Sequence, residues 1–208
     1  FRVEQTQMGR QCEFHQAGVE LMGSERPAAD AEIISLAIAS VLACGIKDFQ
    51  IHMGQVDFLD GLLSYFEIDE QRQREIKSAI ERHNFVLMDS LIDALPLSEQ
   101  DRGMLKELPL LNGREELLRR LYDFPRNEQS RRAIDNLAEI YALLKSYGVA
   151  DYVRFDLGII RDFNYYTGMV FEGYSPGLGF PLCGGGRYDR LLTEYGHPMS
   201  ATGFALGM

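Results

Sequence analysis

Short apolar runs broken by glycines stand at both ends of this chain, and between them lies a long block of charged, helix-forming sequence from residue 57 to residue 147. That change of texture narrows the possible folds most. Within the block, helices are predicted over 57–66, 69–82, 85–94, 98–107, 114–122 and 127–147, separated by Pro96, Pro109, Gly113 and Pro125. A proline lacks the backbone N–H that would continue a helix, and glycine weakens one. Ahead of the block, 1–4 and 13–22 read as two strands of a hairpin around a polar loop, 5–12, with Gly9 available for a turn. Residues 28–44 follow as a helix buried on nearly all sides, with Asp30 and Glu32 in its first turn and Gly45 at the capping position. A strand is expected at 49–53. After the block, strands are expected at 152–156, 168–174 and 202–206, and Gly184, Gly185 and Gly186 are read as opening a helix over 188–195. Strands at both ends with helices between define an α+β class: one mostly antiparallel sheet flanked by helices, with a helical insertion. The organisation expected is therefore 1–56 as the first part of a core, 57–147 as the insertion, and 148–208 as the second part of the core.

Composition excludes several classes of function. With 208 residues and 46% hydrophobic content, the chain can build a sizeable core, which excludes intrinsic disorder. No stretch approaches the roughly 20 apolar residues needed to span a bilayer, and no basic, then apolar leader is present, so a cytoplasmic location is expected. Cys12, Cys44 and Cys183 are widely spaced with no CxxC pair, which predicts buried or half-buried free thiols rather than disulfides or zinc. Lys and Arg total 21 against 31 for Asp and Glu, a net charge of -10 that disfavours extended contact with a nucleic acid. His52, His83 and His197 have no partner at metal-ligand spacing, so they are read as ordinary surface or core histidines, and no metal or cofactor is expected. The charged run 70–81 reads as a solvated helix face. Because the sequence opens at Phe1 without a methionine and closes at Met208 after a glycine-rich apolar run, a piece of a longer protein is expected.

Three segments carry residues suited to chemistry. In the strand at 13–22, Gln16, Gly18 and Glu20 share one face by the period of two, and Gly18 would let a ligand lie against the backbone. A solvated strand face fits the same residues. In 156–168, Arg161 precedes the pair Tyr165 and Tyr166. A guanidinium can fork onto a carboxylate and a phenol can orient a ring nitrogen, although a structural ion pair with aromatic packing would use the same groups. Third, Gly184 to Gly186 permit close backbone approach to an anion or an amino acid, or form a simple turn.

Taken together and in order, these segments resemble the class II aminoacyl-tRNA synthetase core in its histidine-specific form. Residues 1–23 look like that family's second motif, 161–172 and 184–191 like its two histidine signatures, and 203–207 like the start of its third motif. The resemblance covers roughly half of the chain. It implies that Arg2, Glu4 and Arg10 match nucleotide-binding positions, and that Gln16, Glu20, Arg161, Tyr165 and Tyr166 match residues lining a histidine pocket. The chemistry is compatible: a carboxylate at 20 can accept from an imidazole N–H, Tyr166 can meet the other ring nitrogen, and Arg161 can neutralise the ligand carboxylate.

The departures from the synthetase pattern are instructive. Asn164 replaces the acidic residue before the tyrosine pair, Asp162 replaces the small residue after Arg161, and Gln5 stands where a second arginine is usual. Each change weakens contacts to a nucleotide or RNA while the amino-acid set survives. The phrases 50–54 and 174–179 also look like the branch of regulatory subunits of ATP phosphoribosyltransferase. That resemblance implies a non-catalytic, histidine-sensing subunit that joins a short-form ATP phosphoribosyltransferase catalytic subunit in a hetero-oligomer around a homodimeric core. The alternatives are a histidyl-tRNA synthetase core that forms histidyl-adenylate and charges tRNA, and a stand-alone amino-acid-binding module.

Overall fold

The structure is a computed structural model and describes residues 13–159 and 165–207. The first expected hairpin strand and its loop, 1–12, lie outside the described residues, and the second strand is β1 (Gln16–Met22). After β1 come α1 (Pro27–Ala43), β2 (Gln50–Gln55), α2 (Val56–Tyr65), α3 (Glu70–Glu81), α4 (Phe85–Asp93) and α5 (Glu99–Glu107). Then follow β3 (Asn112–Gly113), α6 (Glu115–Leu121), α7 (Glu128–Ser146), β4 (Val153–Asp156), β5 (Met169–Tyr174), β6 (Cys183–Arg187), α8 (Leu191–Glu194) and β7 (Ala201–Gly207).

Helix boundaries follow local chemistry. The side chains of Asp69, Asn84, Ser98 and Asn127 each accept from a backbone N–H of the first turn they precede. Those N–H groups have no partner inside the helix, which is why such residues mark helix starts. Gly45 ends α1 at φ +85 and Gly148 ends α7 at φ +73, a conformation in which any side chain is strained. Asn127 also donates from Nδ2 to the Gly61 carbonyl at 2.7 Å, tying α7 to α2. Asn127→Ala is therefore expected to cost about 1–2 kcal/mol, read from a chemical denaturation midpoint.

The seven strands form one sheet in the order β1-β7-β6-β5-β2-β4-β3. Every pairing is antiparallel except β2 with β4. Parallel neighbours cannot be joined by a tight turn, so the helical block serves as the connection between β2 and β4. Alternation along the strands separates two faces. One cross-strand row runs Val19, Phe204, Gly185, Phe171, Met53, Phe155. Met53, Phe155 and Phe171 are fully buried in this row, within one hydrophobic cluster shared with α1, α2 and α7. Each such side chain contributes roughly 1.5–3 kcal/mol on burial. The other face carries the rows Gly18, Ala205, Gly184, Glu172, His52, Arg154 and Glu20, Gly203, Gly186, Val170, Gly54. It is polar and glycine-rich, and it forms the floor of a cleft.

Three local expectations are corrected. The triple glycine does not open a helix: residues 183–187 form β6 inside the sheet, and helix appears only at Leu191–Glu194. Helix α1 leaves Ala28, Glu32, Leu36, Ala39 and Ala43 exposed, so it is covered on one side rather than nearly all round. Cys44 is exposed at the end of α1, whereas Cys183 is buried. Among the described residues no helix is long and apolar enough to cross a membrane.

Candidate functional site

The polar face of the sheet opens into a cleft of about 1550 Å³. Its floor is set by β1, β7, β6, β5 and β2, and residues Glu81, His83 and Phe85 from the helical block also border it. On β1 the period of two aims Gln16 and Glu20 into the cleft, as expected from sequence. Gly18 lies between them, but its role is corrected: a Cβ there would stand 2.6 Å from the Phe204 carbonyl oxygen. The missing side chain admits the neighbouring strand rather than a ligand.

Glycines elsewhere on the floor make room for specific side chains. A Cβ at Gly203 would lie 1.8 Å from Glu20 Oε2, so the carboxylate can lie over β7 only because residue 203 has no side chain. At Gly186 a Cβ would meet the Tyr166 ring at 2.9 Å. The glycines do bring backbone to the cleft, but from a strand.

Reading 183–187 as a strand explains the residues that follow. Gly186 and Tyr188 fall on the cleft side, whereas Arg187 and Asp189 turn toward α1. There Arg187 Nε donates to both Asp30 oxygens at 3.1 Å and Nη2 reaches Oδ1 at 2.9 Å. Nη1 donates to the Ser24 carbonyl at 3.0 Å and to Asp189 Oδ1 at 3.1 Å. Asp189 Oδ1 also accepts from the Ala201 N–H, and the Asp189 N–H donates to Thr167 Oγ1 at 2.9 Å. Burial pushes the Asp30 carboxyl above its ordinary range, and Arg187 opposes that shift. This network fixes the sheet against α1 and sets the backbone on both sides of Tyr188.

Tyr188 is nearly buried and donates its phenolic proton to Glu20 Oε2. Its ring stacks on Tyr165 with centroids 4.8 Å apart, and Tyr165 meets Tyr166 edge-on, also at 4.8 Å. Burial, followed by the hydrogen bond and charge of Glu20, raises the Tyr188 phenol well above its ordinary range, so it remains a donor. Gln16, Glu20, Tyr165 and Tyr166 thus share one cleft. Arg161 and the nucleotide candidates Arg2, Glu4 and Arg10 lie outside the described residues.

Sequence reasoning missed a second group. His52 on β2 borders the cleft: its Nδ1 pairs with Asp156 Oδ2 at 3.0 Å and its ring meets Tyr174 edge-on at 5.4 Å. Tyr174 in turn donates to Glu172, which stands opposite His52 in the sheet. The available signal was the period of two, which places His52 on the same face as Gly54. Close approach at Gly54 lets the 156–159 turn sit over β2, since a Cβ there would be 2.8 Å from the Asp156 carbonyl oxygen. Among the described residues no group of three or more His, Cys, Asp or Glu is arranged to hold a metal ion.

A mostly antiparallel sheet with helices packed on one face and a polar cleft on the other defines the catalytic-core fold of class II aminoacyl-tRNA synthetases. The sequence model of the histidyl-tRNA synthetase family matches residues 1–208, and the chain belongs to that family. It is 40% identical over 208 residues to an ATP phosphoribosyltransferase regulatory subunit of Desulforamulus reducens, covering 100% of this chain and 52% of that protein. The chain therefore spans about half the length of the curated relative. A Bacillus halodurans structure described as an ATP phosphoribosyltransferase regulatory subunit/histidyl-tRNA synthetase superposes with a TM-score of 0.91 at 37% identity, over 97% of this chain and 53% of that one. A chain in an ATP phosphoribosyl transferase complex from Thermotoga maritima shares the fold, with a TM-score of 0.72 at 14% identity over 93% of this chain and 66% of that one.

Proposed function

We propose that the cleft binds free L-histidine and that the protein is a non-catalytic regulatory subunit of ATP phosphoribosyltransferase, the first enzyme of histidine biosynthesis. The observation that carries the reading is the meeting of Gln16, Glu20, Tyr165 and Tyr166 in one cleft, in a chain whose curated relatives bear that name. Glu20 accepts from the imidazole, the tyrosines enclose the ring, and Arg161 neutralises the ligand carboxylate. In this reading the protein is cytoplasmic, has a homodimeric core, and assembles with a short-form catalytic subunit. Histidine alters activity because it binds two states of the assembly with different affinities.

The family match also supports a second reading, a histidyl-tRNA synthetase core. Reconstitution separates the two. Adding the protein to a short-form catalytic subunit is expected to raise phosphoribosyl transfer from a low basal rate and to make it histidine-sensitive. Histidine-dependent ATP–pyrophosphate exchange by the protein alone, without any effect on the catalytic subunit, would reverse the assignment.

A further inference from the structure

We infer that the far end of the cleft floor holds a second ligand subsite, in which Arg154 binds the carboxylate of a small acid and His52 Nε2 accepts a hydrogen bond from an amino or hydroxyl group on the adjacent carbon. It does not depend on histidine occupying the other end of the cleft.

The sheet lays Glu172, His52 and Arg154 in one cross-strand row over β5, β2 and β4. Glu20 stands on β1, four strands from β2 in the sheet order, so the row lies roughly 19 Å from it at the usual strand spacing. The cleft, at about 1550 Å³, exceeds the about 300–1,000 Å³ of ordinary small-ligand pockets and has room for a ligand at each end. His52 is held ready. Its Nδ1 donates to Asp156 Oδ2 at 3.0 Å, the other Asp156 oxygen accepts from the Gly158 N–H at 3.0 Å, and Tyr174 meets the ring edge-on. With Nδ1 donating, a neutral imidazole presents Nε2 as an acceptor.

Arg154 stands beside His52 in the register and is half-buried. Among the described residues no acceptor lies within hydrogen-bond or ion-pair distance of its guanidinium. A guanidinium forks onto a carboxylate. Asp156 and Glu172 share this face and repel a dianion such as phosphate, so a singly charged acid fits better. Side chains on strands about 4.8 Å apart suit a carboxylate and a donor on neighbouring atoms. Glu172, on the other side of His52, favours an ammonium over a hydroxyl as that donor.

The test is an NMR titration with three ligands of one shape, L-alanine, L-lactate and propionate, which differ in the group beside the carboxylate. Two contacts at a partly solvated site give a dissociation constant on the order of 1 mM for alanine. Lactate is expected to bind next best, and propionate roughly tenfold or more weakly than alanine. The signals that move are expected to belong to the His52 ring and to β2 and β4. Arg154→Gln is expected to weaken alanine and lactate by roughly tenfold or more, and Arg154→Lys, which keeps the charge without the fork, by less. His52→Phe keeps a ring and is expected to erase the advantage of alanine and lactate over propionate. The amide spectrum of each variant reports whether it is folded. No binding of alanine, equal affinity for all three ligands, undiminished binding in folded Arg154→Gln, or shifts centred on Glu20 would each overturn the inference while leaving the histidine reading untouched.

Discussion

Replacing Arg187 with methionine is expected to destabilise the protein by roughly 3–5 kcal/mol near neutral pH, because it strands a buried carboxylate. Asp30 is fully buried, and Arg187 supplies its ionic partner while binding the Ser24 carbonyl and Asp189. The pH dependence follows from the raised Asp30 carboxyl, for which burial outweighs the arginine. A folded-state pKa above the unfolded value means that the folded protein holds the proton more tightly. The stability associated with that proton is present below the ordinary carboxylate range and is lost as pH rises through the raised value. Without Arg187 the carboxyl shifts further upward, so the deficit of the variant is expected to shrink on moving from about pH 8 to about pH 5. Urea denaturation at the two pH values measures it. A double variant, Asp30→Leu with Arg187→Met, is expected to recover much of the loss.

The second large effect is expected at Gly203. A methyl group there would stand 1.8 Å from Glu20 Oε2 and 2.6 Å from the Val19 carbonyl oxygen, so Gly203→Ala must expel the carboxylate or part β1 from β7. Histidine affinity is expected to fall roughly ten- to a hundredfold, the scale of one lost hydrogen bond to a charged group. Glu20→Ala is expected to lose a similar amount of affinity without the added cost in stability. Measuring affinity and denaturation midpoint for both variants separates the missing carboxylate from the strained strand pair.

Much of this architecture was legible because its signals are local. Helices α3, α4, α5 and α7 announce themselves through Asp69, Asn84, Ser98 and Asn127 at their starts, and their expected spans end within a residue or so of the observed ones. Strands β1 and β5 carry enough apolar character to be read directly. The triple glycine misled because glycine says nothing about period: Gly184, Gly185 and Gly186 are a strand because β5 and β7 pair on either side of them. The two-residue strand β3 is too short to show any alternation. His52 was read as ordinary because its partner Asp156 is 104 residues away in sequence, and only the parallel pairing of β2 with β4 brings them together. In the same way Glu20 and Tyr188, 168 residues apart in sequence, meet only after β1, β7 and β6 are laid side by side.

Occupation of this cleft by a free amino acid is tested directly by isothermal titration of L-histidine into the unaltered protein, Glu20→Ala and Arg161→Ala. One saturable site per chain in the unaltered protein, weakened roughly tenfold or more in each variant, is the expected result. Equal affinity in all three proteins, or no binding at all, would contradict it.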